Sequence, residues 1–291
     1  MLRPIGVAAA AVFATAGSLA TAHAQTPPTL YFSAIPDDDE TRLMERFGAV
    51  ADYLSEELGV PVAYVPVNSY AASVTAFRNG QIQLGWFGGL SGVQARLAVP
   101  GSQVIAQGDE DMAFVSYFIA HEDTGLERSD AFPEEARGMT FTFGAQTSTS
   151  GRLFPDFYIR EETGEAPEDF FSRVGFSGDH GQTLRLVSTG AFQVGALNYT
   201  VYDTAVAEGA PEVESAKVIW QTPPYPDYNW TIRGDVDAQF GEGFAERVQA
   251  ALIGMDDPDL LASFPRAAFV EASNEDYAPI EETARALGIL D

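Results

Sequence analysis

The chain of 291 residues contains no cysteine. This excludes disulfides, thiolate nucleophiles, cysteine metal centres and a lipid-modified cysteine near its start. Basic charge is also scarce: 16 Lys+Arg face 42 Asp+Glu, the formal net charge is -26, and Lys217 is the single lysine. A surface this acidic repels nucleic acid and anionic lipid, so neither is expected as a partner. After Gln25 no apolar run approaches the ~20 residues that a membrane-spanning helix needs. Gly-x-Ser-x-Gly elbows, His-Glu-x-x-His helices and lysine-bearing phosphate loops are missing too. With only His23, His121 and His180 present, a histidine-based zinc site is not expected.

What is present starts with an export signal. Ile5 to Ala22 is apolar and small, and Ala22-His23-Ala24 precedes the polar stretch from Gln25. Residues 1–24 therefore read as a cleaved signal peptide, which sends the mature chain to the periplasm as a soluble protein.

Downstream, strands and helices alternate. Thr29–Ile35 reads as a buried strand running into Pro36-Asp-Asp-Asp-Glu40, and Leu43, Phe47, Val50, Ala51, Leu54 and Leu58 recur at helical spacing before Gly59. Val62–Val67 is a second strand, Tyr70–Asn79 a helix capped by Asn68 or Ser69, and Ile82–Phe87 a third strand. Ala113–His121 is a long apolar strand, taken as the crossing into a second unit that opens with the strand Met139–Phe143. It continues through Gly151–Ile159 (helix), Ser172–Phe176 (strand), Gln182–Thr189 (helix) and Phe192–Leu197 (strand), and Lys217–Gln221 reads as the return. The alternation predicts an α/β fold with mostly parallel sheets in two lobes. Lobe I takes residues 25–120 and 222–291, and lobe II takes 121–221. The tail, with Phe244, Val248, Ala251 and Leu252 in helical register, packs back on lobe I.

Open α/β sheets bind ligands at strand ends facing helix starts. The richest such loop is Gln146-Thr147-Ser148-Thr149-Ser150-Gly151, where hydroxyls and amides converge as an uncharged anion cradle, although one hydroxyl would suffice as a plain cap. Gly85-Trp86-Phe87-Gly88-Gly89 sets aromatics beside glycines that admit close approach, or else makes a tight turn. Tyr70 offers a phenol at a helix start or is simply part-buried, and His180 in Ser177-Gly178-Asp179-His180 offers a donor. Asn198 closes the last strand, and Thr222–Trp230 returns with Tyr225 and Tyr228, although the prolines of this segment can equally serve only to stiffen the loop. A hydrolase built on Ser150, His180 and Asp179 is disfavoured, because adjacent Asp and His do not give the orientation of a triad.

In sum these elements resemble the phosphate/phosphite/phosphonate family of periplasmic ABC-transporter substrate-binding proteins, over essentially the whole mature chain. The likeness is carried by Phe32–Pro36, Trp86-Phe87-Gly88 with Leu90-Ser91, Ser148-Thr149-Ser150-Gly151, Gly178-Asp179-His180 and Gly195–Asn198. The resemblance implies two lobes of the type II binding-protein fold joined by hinge strands, no enzymatic activity and no cofactor. It also implies a monomer that hands its ligand to an ABC permease with a cytoplasmic ATPase; delivery to a sensor protein is the alternative. Ser148, Thr149, Ser150 and His180 match positions that hold an oxyanion, while Tyr70 and Phe87 match the facing wall. Two departures stand out: Asn198 where phosphite-type members commonly place Asp, and Gly88-Gly89 where they place Gly-Pro. An asparagine donates to a fully ionised ligand, whereas an aspartate suits one that keeps a proton. With Gln107–Asp111 and Tyr225–Trp230, this resembles the selenate-type branch and implies a selenate- or sulfate-like tetrahedral oxyanion. Phosphonate, phosphite or phosphate is the alternative ligand.

Overall fold

The computed structural model describes residues 1, 27–37 and 40–290, so the signal peptide expected over 1–24 lies, apart from Met1, outside the described residues. Two mixed sheets form two lobes. The first holds β1 (Leu30–Ala34), β2 (Val62–Tyr64), β3 (Leu84–Phe87), β4 (Gln103–Gly108), β10 (Asn229–Ile232) and β11 (Phe269–Glu271), in the order β11-β4-β10-β3-β1-β2. The second holds β5 (Ser116–His121), β6 (Thr140–Phe143), β7 (Arg173–Phe176), β8 (Val194–Asn198) and β9 (Ala216–Gln221), in the order β7-β6-β8-β5-β9.

The expected alternation produces parallel pairing where helices intervene: β1 with β2 and β3, and β6 with β7 and β8. The strands beside the crossings run antiparallel instead, β10 against β3 and β4, and β5 against β8 and β9. β5 therefore belongs to the second sheet, although the boundary at residue 120 placed it in lobe I. Likewise 217–221 is a strand of the second sheet, and the return crossing is the segment after it. The two crossings lie side by side, with Phe114 and Tyr225 exchanging amide-to-carbonyl bonds of 3.0 and 2.9 Å, and the Asp227 amide donating to the Asp111 carbonyl at 2.9 Å.

Helix α1 (Glu40–Leu58) buries Leu43, Phe47, Val50, Ala51, Leu54 and Leu58, the six positions its periodicity predicts. Their rows meet an aromatic core in which Phe47, Trp86, Trp230 and Phe264 pack ring to ring. Each fully buried ring contributes roughly 1.5–3 kcal/mol. A separate core of Phe118, Phe132, Phe141, Phe170 and Trp220 supports the second sheet. The helices that follow are α2 (Tyr70–Arg78), α3 (Gly89–Ala98), α4 (Phe154–Thr163), α5 (Pro167–Phe170), α6 (His180–Ser188) and α7 (Tyr199–Ala207), and all but α5 bear on the site. Among the described residues no helix is long and apolar enough to cross a membrane.

Candidate ligand site between the lobes

The carboxyl ends of β1, β3, β6 and β8 and the start of α6 converge with the return crossing. After β6, Ser148 caps a wide π-type turn (Thr149–Leu153) that leads into α4, and its hydroxyl accepts the Gly151 amide at 2.9 Å. Amides at such a start have no acceptor within the helix, so they face outward with their partial positive charge. Gly151 leaves little room for a side chain here: a Cβ would lie 3.0 Å from Ser148 Oγ and 3.1 Å from both Gly144 Cα and His180 Cε1. The Thr149 hydroxyl accepts the Leu90 amide across the cleft at 3.0 Å, and the Ser150 carbonyl accepts the Ser116 hydroxyl at 2.7 Å.

His180 is the first residue of α6, whose cap Asp179 accepts the Gln182 amide at 2.6 Å. Its Nδ1 accepts the Asn198 amide at 3.2 Å. The proton of the neutral ring therefore sits on Nε2, which is buried and without a partner. Burial depresses the imidazole pKa to about 3, so the ring remains a neutral donor throughout the physiological range. The Tyr70 hydroxyl at the start of α2 is likewise buried and unpartnered, with Ser148, Asp37 and Asp227 around it. Burial first, then those carboxylates, holds its phenol well above 10.

The acceptor of the site is Asp227. Its Oδ1 takes the Gly89 amide at 2.9 Å from the start of α3, and its Oδ2 is buried with no partner. Burial pushes this carboxyl up to about 7, against the opposing pull of the Gly89 amide and the Thr149 and Ser150 hydroxyls. Buried polar atoms are almost always paired, so three unpaired ones from three segments beside a helix start mark a place for a ligand. Two are donors, Tyr70 Oη and His180 Nε2, and one is a carboxylate oxygen that needs a proton.

Six of the nine expected positions come together here: Tyr70, Gly88, Ser148, Thr149, Ser150 and His180. The other three side chains make their contacts elsewhere in the fold. The Phe87 ring turns back over Gly85 and meets Phe77 edge-on at 5.6 Å, inside the lobe core. Tyr225 gives its hydroxyl to a bond with Ser116 and stacks on Phe154 at 4.0 Å, supporting the Ser150 turn from behind. Asn198 uses its carbonyl and one amide proton within the fold: Oδ1 accepts the Thr200 amide at 2.6 Å, capping α7, and Nδ2 donates to Tyr228 at 2.9 Å. Asp37 and Asp227 were not singled out by sequence reasoning, and Tyr228 was weighed only beside Tyr225 as an aromatic of the return loop. The signal was a carboxylate at each strand-end or crossing loop, in Pro36-Asp37 and in Pro226-Asp227-Tyr228.

Gly88 lets the lobes meet, since a Cβ there would stand 3.1 Å from Asp227 Oδ1 and 3.3 Å from Thr149 Oγ1. Gly88→Ala is expected to weaken ligand binding about tenfold while the melting temperature without ligand stays nearly unchanged. Calorimetric titration beside a thermal melt checks it.

Comparison with known proteins places the chain in a family. Residues 32–277 match the family model described as ABC transporter, phosphonate, periplasmic substrate-binding protein. A Prochlorococcus marinus protein named "Probable ABC transporter phosphite binding protein" is 38% identical over 268 residues, 90% of each chain. The structure of the same organism's protein in complex with methylphosphonate superposes with a TM-score of 0.86 at 37% identity, covering 90% of this chain and 99% of that one. The phosphonates-binding periplasmic protein of Escherichia coli is 25% identical over 219 residues, 74% of this chain and 64% of that protein. The selenate-type narrowing finds no support among these matches. They favour the phosphonate and phosphite alternative, and their family consists of transport proteins and not enzymes. The chain belongs to the phosphonate family of periplasmic substrate-binding proteins of ABC transporters.

Proposed function

We propose that this chain captures a small phosphonate or phosphite, as the species that still carries one proton, in the cleft between its lobes for delivery to an ABC permease. The observation that carries the reading is the unpartnered set itself: Tyr70 Oη and His180 Nε2 as donors beside the Ser148–Ser150 turn, and Asp227 Oδ2 as the acceptor. A tetrahedral anion with one remaining O–H satisfies all three. Sulfate and selenate are fully ionised near neutral pH and set a bare oxygen against the carboxylate, which low-dielectric surroundings penalise. The methylphosphonate bound by the Prochlorococcus marinus relative belongs to the favoured class.

Asn198 is not needed for this reading, because its Oδ1 is held by Thr200 and one of its amide protons by Tyr228. The rule that a carboxylate suits a protonated ligand passes to Asp227. In this reading the crossings before Ser116 and after Gln221 serve as hinges, and Ser148, Thr149, Ser150, His180, Tyr70 and Asp227 enclose the ligand as the lobes meet.

The test is calorimetric titration of the mature protein at neutral pH with methylphosphonate, phosphite, phosphate, sulfate and selenate. Methylphosphonate or phosphite is expected to bind at least ~10-fold more tightly than sulfate and selenate, the difference expected for one well-placed hydrogen bond to a charged group. A preference for sulfate or selenate would overturn the reading.

A further inference from the structure

We propose that Asn198, Tyr228 and Asp37 form a latch that holds the lobes together without touching the ligand, with Tyr228 as its positioning residue. The inference rests on the cleft being the ligand site. Each member comes from a different part of the chain: the end of β8 in the second lobe, the return crossing, and the loop after β1 in the first lobe. The Tyr228 hydroxyl accepts from Asn198 Nδ2 at 2.9 Å and donates to Asp37 Oδ2 at 2.7 Å. All three side chains are buried.

The direction of this chain is dictated by proton count. A phenol has one proton, and giving it to Asp37 leaves only lone pairs toward position 198, so that residue must be a donor. The Asn198 amide cannot flip, because its Oδ1 already accepts the Thr200 amide at 2.6 Å and the Thr200 hydroxyl at 2.7 Å. The Tyr228 ring is held from the first-lobe side, stacked on Trp86 at 5.4 Å and 25°, and its carbonyl accepts the Tyr277 hydroxyl at 2.8 Å. Its hydroxyl bond to Asn198 thus ties a ring fixed in the first lobe to the second. Asparagine at 198 is a requirement of the latch; it does not read the charge of the ligand. An aspartate there would set lone pair against lone pair.

Tyr228→Phe removes the hydroxyl and keeps the ring. It is expected to weaken methylphosphonate and phosphite by the same factor, roughly five- to tenfold, through faster dissociation with an unchanged association rate. Asn198→Asp should lose more for both ligands and, with no ligand added, should give a larger radius of gyration in small-angle scattering. The decisive variant is Asn198→Asp with Asp37→Asn. It reverses the chain, so that the amide at 37 donates to Tyr228 and Tyr228 donates to the carboxylate at 198, and most of the loss is expected to return. Asp37→Asn alone should cost little, because its amide oxygen can still accept from Tyr228.

Thermal melts of each variant separate misfolding from loss of the latch. Unequal losses for the two ligands, or purely additive losses in the double variant, would overturn the latch. Failure of the wild type to bind either ligand would instead count against the function proposed above. In that case the scattering comparison still decides: an unchanged radius in Asn198→Asp overturns the latch, and a larger one supports it.

Discussion

Replacing Asp227 with asparagine is expected to raise the melting temperature of the protein without ligand and to weaken methylphosphonate binding about a hundredfold. The carboxyl is 1% exposed, and burial lifts it from 3.8 to about 7. A raised carboxyl pKa means that, between pH 4 and 7, the folded protein holds a proton that the unfolded chain has released. The stability contributed by this group therefore falls as pH rises through that window and is lowest above it. The full penalty is at most ~4 kcal/mol. Asparagine has no such titration and can still accept the Gly89 amide, so the variant should be the more stable at pH 8, with the gap closing toward pH 4. Its ligand-facing atom can, however, become a donor where an acceptor is needed. A hundredfold loss corresponds to about 2.7 kcal/mol, within the range for a hydrogen bond to a charged group. The same donor would welcome a bare oxygen, so the variant should narrow the gap between methylphosphonate and sulfate. Melts at pH 5 and 8 and titration with both anions read all of this, and unchanged methylphosphonate affinity would remove Asp227 from the site.

That carboxylate shows where sequence reasoning ends. Local periodicity found α1 with its six buried positions and the tail helix with Phe244, Val248, Ala251 and Leu252, because a helix face is written within a dozen residues. Strand-end loops with hydroxyls or a histidine led to Ser148, Thr149, Ser150 and His180 for a similar reason. The lobe to which β5 belongs was not legible, since its partners β8 and β9 lie some 75 to 100 residues downstream and the apolar run looks the same in either sheet. The helix cap and the bond to Tyr228 made by Asn198 were not legible, because an amide at a strand end can serve a ligand, cap a helix or bridge lobes, and the position of Tyr228 is set by the fold. Asp227 was hidden among 42 acidic residues, where composition cannot distinguish one buried carboxylate from a solvated surface.

His180→Asn is expected to weaken methylphosphonate binding between about tenfold and a hundredfold, without changing the shape of its pH profile between pH 5 and 8. Asparagine can place an oxygen near the position of Nδ1 and keep the bond from the Asn198 amide, but it cannot reach the position of Nε2, so one donor to the anion is lost. The profile should keep its shape because an imidazole held near 3 does not titrate in that range, which leaves Asp227 and the ligand to share the proton that does. The stability slopes supply an independent check. His180 has a folded pKa below its ordinary 6.5, so the unfolded chain takes up a proton that the fold refuses, and stability is lost as pH falls from 6.5 toward 3. Asp227 acts in the opposite sense between pH 7 and 4. Where the two windows overlap their slopes cancel in the wild type, each being up to ~1.4 kcal/mol per pH unit. Removing either group exposes the other: His180→Asn should gain stability as pH falls from 6.5 to 4, and Asp227→Asn should lose it. Two melting series with slopes of the same sign would mean that one of these two groups does not carry the shifted pKa that its burial imposes.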